Sequence, residues 1–233
     1  MNEQFKVLCA DPPWKFNDKL PGKTRGAERN YPCLSVAELC KFPLPPLADD
    51  CTLFLWRVAS QQQAALDVVN AWGFTVKTEI IWLKKTINGN RWFGMGRITR
   101  AEHETCIVAT RGHLIPASNS VRSTFTTDLG AAEFEGLSAP VGRHSEKPEK
   151  FYEIVESLYA GPYCELFARR QRPGWTCLGN EVNQQNDELL QRVRLFLADP
   201  DYAGDEILIE AILEERQTWT RDQAVDLFEA AKK

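Results

Sequence analysis

The chain has no run approaching the ~20 apolar residues that cross a bilayer, and its N-terminus lacks a signal-peptide pattern. No Cys-x-x-Cys occurs, and His103, His113 and His144 are the only imidazoles. The seven cysteines are scattered, odd in number and mostly inside apolar runs, which argues against both zinc and a disulfide framework. A reducing cytosol, hence a cytoplasmic protein without bound metal, is the expectation. No internal repeat is visible, and no Gly-x-Gly-x-x-Gly follows the first apolar run. What is present is an ordinary globular composition, 43% hydrophobic and 26% charged over 233 residues, enough for a sizeable core.

The net charge of −4 at first argues against nucleic acid. Its distribution reverses that argument, because residues 184–233 hold 6 basic and 12 acidic side chains and leave the first 183 residues slightly positive. Lys15, Lys19, Lys23, Arg25 and Arg29 share one polar stretch, while Lys84, Lys85, Arg91, Arg97 and Arg100 are interleaved with Trp92 and Phe93. Basic residues mixed with aromatics suit a nucleic-acid surface, although a solvated loop explains either cluster taken alone.

The run Phe5–Ala10 reads as a buried strand that stops at Asp11-Pro12-Pro13-Trp14. The prolines carry no N–H, so the loop offers carbonyl oxygens and a carboxylate without neighbouring donors. An exocyclic amine, which donates two hydrogens, suits such a cluster, and Trp14 offers a face on which a heteroaromatic ring stacks. A surface turn with a packed Trp is the plainer reading of Asp-Pro-Pro alone.

Further along, Ser35 and Glu38 fit a capping box for a short helix that ends before Pro43. Cys51–Trp56 reads as a strand, Ser60 with Gln63 as the cap of a helix reaching Trp72, and Gly73 as its stop. Strands are expected at Phe74–Leu83, His103–Thr110 and 121–127, and a helix with Phe151, Ile154, Val155 and Leu158 on one face follows Lys147-Pro148. Gly161-Pro162 ends that helix, and Tyr163–Ala168 is expected as the final core strand. Strands alternating with helices predict an α/β domain over 1–183 with a largely parallel sheet, whose ligands bind at the carboxyl ends of the strands. Residues 184–233 read as two or three amphipathic helices, with the stripe Leu189/Leu190/Val193/Phe196/Leu197 and a Thr220…Gln223 cap. That stripe is expected to pack on the catalytic domain or on a second copy, giving a homodimer through the C-terminal helices.

Asp11-Pro-Pro-Trp14, Leu53-Phe-Leu-Trp56, Glu79-Ile-Ile-Trp82, His103-Glu104, Glu146-Lys-Pro-Glu149, Glu165–Arg169, Pro173-Gly-Trp175 and Gly179-Asn-Glu181 follow one another in order. That ordered set closely resembles the MT-A70 family of adenine-N6 methyltransferases. The resemblance implies a Rossmann-like, S-adenosylmethionine-dependent fold whose catalytic loop precedes the cosubstrate motif. That order accounts for the missing glycine motif. It assigns catalysis to Asp11, Pro12, Pro13 and Trp14, and base placement to Tyr31 beside Trp14. It puts His103 and Glu104 near the target base and Lys147 at the cosubstrate carboxylate. Glu165 is assigned to its ribose, Asn180 and Glu181 to its ribose or adenine, and Cys9, Ala10, Asp11, Phe167 and Arg169 to the same pocket. Without the resemblance, Lys147 is an ordinary exposed lysine, Glu165 a cap or ion-pair partner, and His103-Glu104 a structural pair. Two features depart from the family pattern. Only ten residues precede Asp11, and Arg170-Gln171-Arg172 stands where eukaryotic members carry a His-Asn pair. The expected activity is methylation of the adenine 6-amino group in DNA, because the chain is compact and lacks the long RNA-binding extensions of eukaryotic relatives. RNA is the alternative substrate, and a catalytically silent nucleic-acid-binding subunit is the rival role. Lys19, Lys23 and Arg25 are expected to hold the nucleic acid.

Overall fold

The computed structural model describes residues 4–15, 33–85, 90–91, 93–94, 98–128, 147–197, 204–215 and 221–232. Contacts divide the chain into two compact units, Met1–Tyr163 and Cys164–Lys233.

The first unit is built on five strands, β1 (Phe5–Ala10), β2 (Leu47–Arg57), β3 (Thr75–Lys85), β4 (His103–Arg111) and β5 (Thr124–Asp128). They lie in the spatial order β5-β3-β4-β2-β1. β1 pairs with β2 in parallel, as β3 does with β5, whereas β4 is antiparallel to both β2 and β3. Four strands therefore share one direction, as expected, and β4 alone is reversed. β1 and β2 are joined through α1, the kind of crossover a parallel pair needs, whereas no helix among the described residues separates β3 from β4, which pair antiparallel. The reversal puts the start of β4 on the same sheet edge as the ends of β1, β2 and β3.

Helices α1 (Val36–Cys40), α2 (Gln62–Ala71) and α3 (Glu149–Leu158) complete the unit. The capping box of α1 forms as read, with the Glu38 carboxylate accepting from the Ser35 amide at 2.8 Å. The expected Ser60–Gln63 cap does not. Ser60 lies in a 3-10 turn over 59–61, Gln61 precedes α2 without a side-chain cap, and the Gln63 amide bonds Asp67 instead. Gly73, at φ +80°, follows the helix in the left-handed conformation that favours glycine. On α3 the buried residues are Phe151, Tyr152 and Val155, while Ile154 and Leu158 are half-buried. Phe151 packs edge-on against Phe54 and Trp56, with ring centroids 6.0 and 4.8 Å apart, so α3 covers the face of β2 that carries those rings.

The second unit holds β6 (Tyr163–Leu166), β7 (Trp175–Leu178), α4 (Asn180–Leu197), α5 (Asp205–Glu215) and α6 (Arg221–Ala231). The expected final strand is shorter than read, because Phe167 at φ 62° turns the chain after Leu166, and β7 follows it. Residue 183 lies inside α4. The three helices enclose a core of their own in which Leu189 and Val193 meet Leu208, Ile212, Ala224 and Phe228, with Leu190 and Leu197 packed against it. A third helix thus covers a stripe that a hairpin would leave open. Thr220 and the side chain of Phe196 lie outside the described residues. No helix among the described residues is long and apolar enough to cross a membrane.

Candidate active site

Side chains alternate across a strand, so register decides which of them share a face. Cys9 pairs with Phe54, Trp56 with Cys106, and Cys106 with Ile80; one step further along, Glu104 pairs with Trp82. Trp56, Trp82 and Glu104 thus line one face at one edge, with Lys84 two residues beyond Trp82. Asp11, immediately after β1, reaches the same place, as does Lys147, two residues ahead of α3.

There the four charged groups form a continuous chain. Lys147 Nζ stands 2.6 Å from Asp11 Oδ2 and 3.3 Å from Glu104 Oε2, and Lys84 Nζ stands 2.5 Å from Glu104 Oε1. The side chain of Lys147 is 4% exposed, whereas Asp11 and Glu104 are 23% and 24% exposed. Trp56 and Trp82 supply the flat walls, with Lys147 Nζ 5.1 Å and Lys84 Nζ 4.7 Å from their ring centroids. Burial pushes Lys147 toward neutrality, but Asp11 and Glu104 outweigh it, and its ammonium holds its proton more firmly than a free lysine. Burial likewise pushes Glu104 up, yet Lys147 and Lys84 prevail and hold its carboxyl below the ordinary glutamate range. The buried Cys106 thiol is pushed well above its ordinary value and stays protonated.

The Asp-Pro-Pro-Trp loop is pinned from three sides. The Trp14 amide donates to the Pro12 carbonyl at 2.8 Å, closing a three-residue turn, and the Leu34 amide donates to the Pro13 carbonyl at 2.9 Å. The Trp14 indole N–H donates to the Trp56 carbonyl at 3.1 Å, and the ring is 4% exposed. Trp14 is therefore a buried anchor here, not the open stacking face expected of it. The Pro12 carbonyl keeps its second lone pair for a further donor.

Among the sequence-derived candidates, the structure brings Asp11, Glu104 and Lys147 together, and Lys147 is neither exposed nor ordinary. His103 alternates to the opposite face, beside Leu83, and is exposed. In the second unit Phe167 makes the turn after β6, and the Ala168 amide donates to the Leu178 carbonyl at 3.1 Å. A Cβ on Gly179 would stand 2.1 Å from the Ala168 carbonyl oxygen. Only glycine passes there, and that close approach brings Asn180 and Glu181, at the start of α4, beside the 167–169 turn. Glu165 and Arg169 are half-buried on either side of that turn. Tyr31, Lys19, Lys23 and Arg25 lie outside the described residues, as does the side chain of Glu181. The sequence alone places Lys84 in a basic loop and marks Trp56 only as one member of the ordered motifs. The signal for Lys84 is the spacing Trp82-x-Lys84 on a period of two.

A methyl donor carrying a sulfonium and an amino-acid moiety fits the donor set. Two carboxylates stand partly exposed at the site, and the buried Trp56 indole N–H beside Lys147 has no acceptor among the described residues. A family model described as MT-A70 matches residues 5–181. The chain is 29% identical over 209 residues to the human N(6)-adenosine-methyltransferase catalytic subunit METTL3, a match covering 85% of this chain and 30% of that protein. It is 28% identical over 206 residues to the Type II methyltransferase M.MunI of Mycoplasma sp, covering 80% of this chain and 82% of that one. The human N(6)-adenine-specific methyltransferase METTL4 matches at 28% over 201 residues, covering 83% of this chain and 40% of that protein. The chain thus spans less than half the length of either human relative.

Proposed function

The chain belongs to the MT-A70 family of S-adenosylmethionine-dependent methyltransferases, and from that premise we propose that it methylates the 6-amino group of adenine in DNA. The observation that carries the reading is the Asp11 carboxylate, held at the end of β1 by Lys147 at 2.6 Å, beside a Pro12 carbonyl with a lone pair to offer. The 6-amino nitrogen is a poor nucleophile because its lone pair is delocalised into the ring. Asp11 and the Pro12 carbonyl accept from its two hydrogens and favour the pyramidal form in which that lone pair is localised. S-adenosylmethionine, when bound, supplies a methyl group on a cationic sulfur, which leaves as a neutral thioether. The nitrogen becomes positive as its new N–C bond forms, and Asp11 is aimed at that developing charge. A carboxylate suffices to take the proton that must then leave, since a protonated exocyclic nitrogen is strongly acidic. Lys147 keeps Asp11 oriented and balances its charge before substrate arrives. The cosubstrate is assigned to Cys9, Ala10 and Lys147, and to Glu165, Phe167, Arg169, Asn180 and Glu181.

DNA is favoured by the match to a type II methyltransferase, which extends over about four-fifths of both chains. RNA is the second reading, on the strength of the METTL3 match over 85% of this chain. The test is to offer a mixed DNA and RNA pool with labelled cosubstrate and digest the product to nucleosides. Label in N6-methyldeoxyadenosine is the expected result. Label in N6-methyladenosine alone replaces DNA by RNA, and no label in either removes the catalytic reading in favour of a silent subunit.

A further inference from the structure

Lys84 stands in sequence with Lys85, Arg91 and Arg100, and its composition marks it as one more surface cation. The structure separates it from Arg91 and Arg100, which are exposed. Its side chain is 16% exposed, against 82% for Arg91, and its ammonium lies over Trp82 and against Glu104. The backbone holds it there, since the Lys84 amide donates at 3.0 Å to the carbonyl of Glu102, the residue just before β4.

We infer that Lys84 is a positioning residue for methyl transfer: by engaging Glu104 it leaves Lys147 seated on Asp11. This rests on the reading of Asp11 as the acceptor for the reacting amine. Two carboxylates compete for the one buried ammonium of Lys147, and the distances say which of them holds it, 2.6 Å to Asp11 against 3.3 Å to Glu104. Glu104 yields because its other oxygen, Oε1, is engaged by Lys84 at 2.5 Å. Remove Lys84, and Glu104 loses the nearer of its two cations among the described residues. It then draws Lys147 toward itself or takes up a proton, and either response alters how Asp11 is held. Among the described residues the charged groups around Glu104 are Lys84 from β3 and Lys147 from the segment before α3. Asp11 lies beyond Lys147, and the Cys106 thiol, two residues along β4, stays neutral. Every cation near Glu104 therefore favours its ionised form, and losing one moves its titration upward.

The experiment uses the full chain with Lys84→Gln and Lys84→Arg. Three quantities are read: the carboxyl ¹³C titration of Glu104, the kcat and KM for adenine methylation, and the salt dependence of nucleic-acid binding. Lys84→Gln should raise the pH at which Glu104 titrates, move the acid limb of kcat upward, and lower kcat on the order of 10²-fold, the scale of a small misplacement at a reacting centre. Salt dependence should not change, and Lys84→Arg should recover most of the lost kcat. A loss confined to KM with a shallower salt slope would make Lys84 a phosphate contact and overturn the inference. An unmoved Glu104 titration, or an undiminished kcat, overturns it as well. If the wild-type chain methylates no adenine, the proposed function fails, while the Glu104 titration still decides whether Lys84 controls that carboxylate.

Discussion

Lys147 Nζ meets Asp11 Oδ2 at 2.6 Å across 136 positions of sequence, with the lysine side chain almost wholly buried. An ammonium so placed cannot be left without carboxylates, because the desolvation of an unpaired buried charge exceeds what most domains can tolerate. The Asp-Pro-Pro-Trp loop is thus tied to the segment before α3 by a contact that either side would lose at high cost.

Asp11→Asn keeps the shape of the side chain but removes its charge. Methyl transfer should fall by about 10²–10³-fold, the usual consequence of losing one group directed at transition-state charge. The melting temperature should fall too, since the buried Lys147 loses the nearer of the two carboxylates that hold it, at 2.6 Å against 3.3 Å. Labelled-methyl assays and thermal melts on the same sample measure both, and activity within a few-fold of wild type would falsify the role of Asp11.

Glu104 carries a sign that pH can read. Its carboxyl is held below the ordinary value of 4.5, so its contribution to stability is present above that value and is lost as pH falls through the lower, folded one. Lys147 is held above 10.5, so its contribution is complete below that value and is lost only at strongly alkaline pH. Urea melts from pH 3 to 8 should therefore show an acid-side loss in the wild type that is smaller in Glu104→Gln. Equal acid slopes in the two would remove the claim.

Trp14→Phe deletes the indole donor and leaves the buried Trp56 carbonyl without that partner. A cost of about 1–3 kcal/mol follows from an unsatisfied buried acceptor. Denaturant unfolding checks the figure. A variant as stable as wild type but poor in nucleic-acid affinity would restore the stacking role.

Asn180→Ala should weaken S-adenosylmethionine binding, read by calorimetry, with little change in nucleic-acid affinity. The reverse pattern would move the cosubstrate contacts elsewhere.

Much of this was legible in the chain. The apolar runs ending at Ala10, Trp56 and Leu83 each became a strand, because β-branched and aromatic residues between turn signals have few other solutions. The direction of β4 was not legible, since a period of two reads the same from either end. That direction is what carries Glu104 to the working edge. Lys84 escaped for a related reason: a lysine after an apolar run looks like the start of a loop until pairing extends β3 to Lys85. Strand β7 was hidden by its length, four residues behind a Pro-Gly turn. Lys147 looked exposed because nothing local announces burial at a helix start; its partners lie on β1 and β4.

The four charges from Asp11 to Lys84 alternate in sign and sum to zero. A string of that kind has a weak field at a distance, so it does little to draw a polyanion in or to repel one. Its energy resides in short contacts that sit inside a Debye length of about 10 Å and are largely out of reach of dissolved ions. Turnover at saturating substrate should accordingly be nearly indifferent to ionic strength, and any steep salt dependence would report on how the nucleic acid arrives.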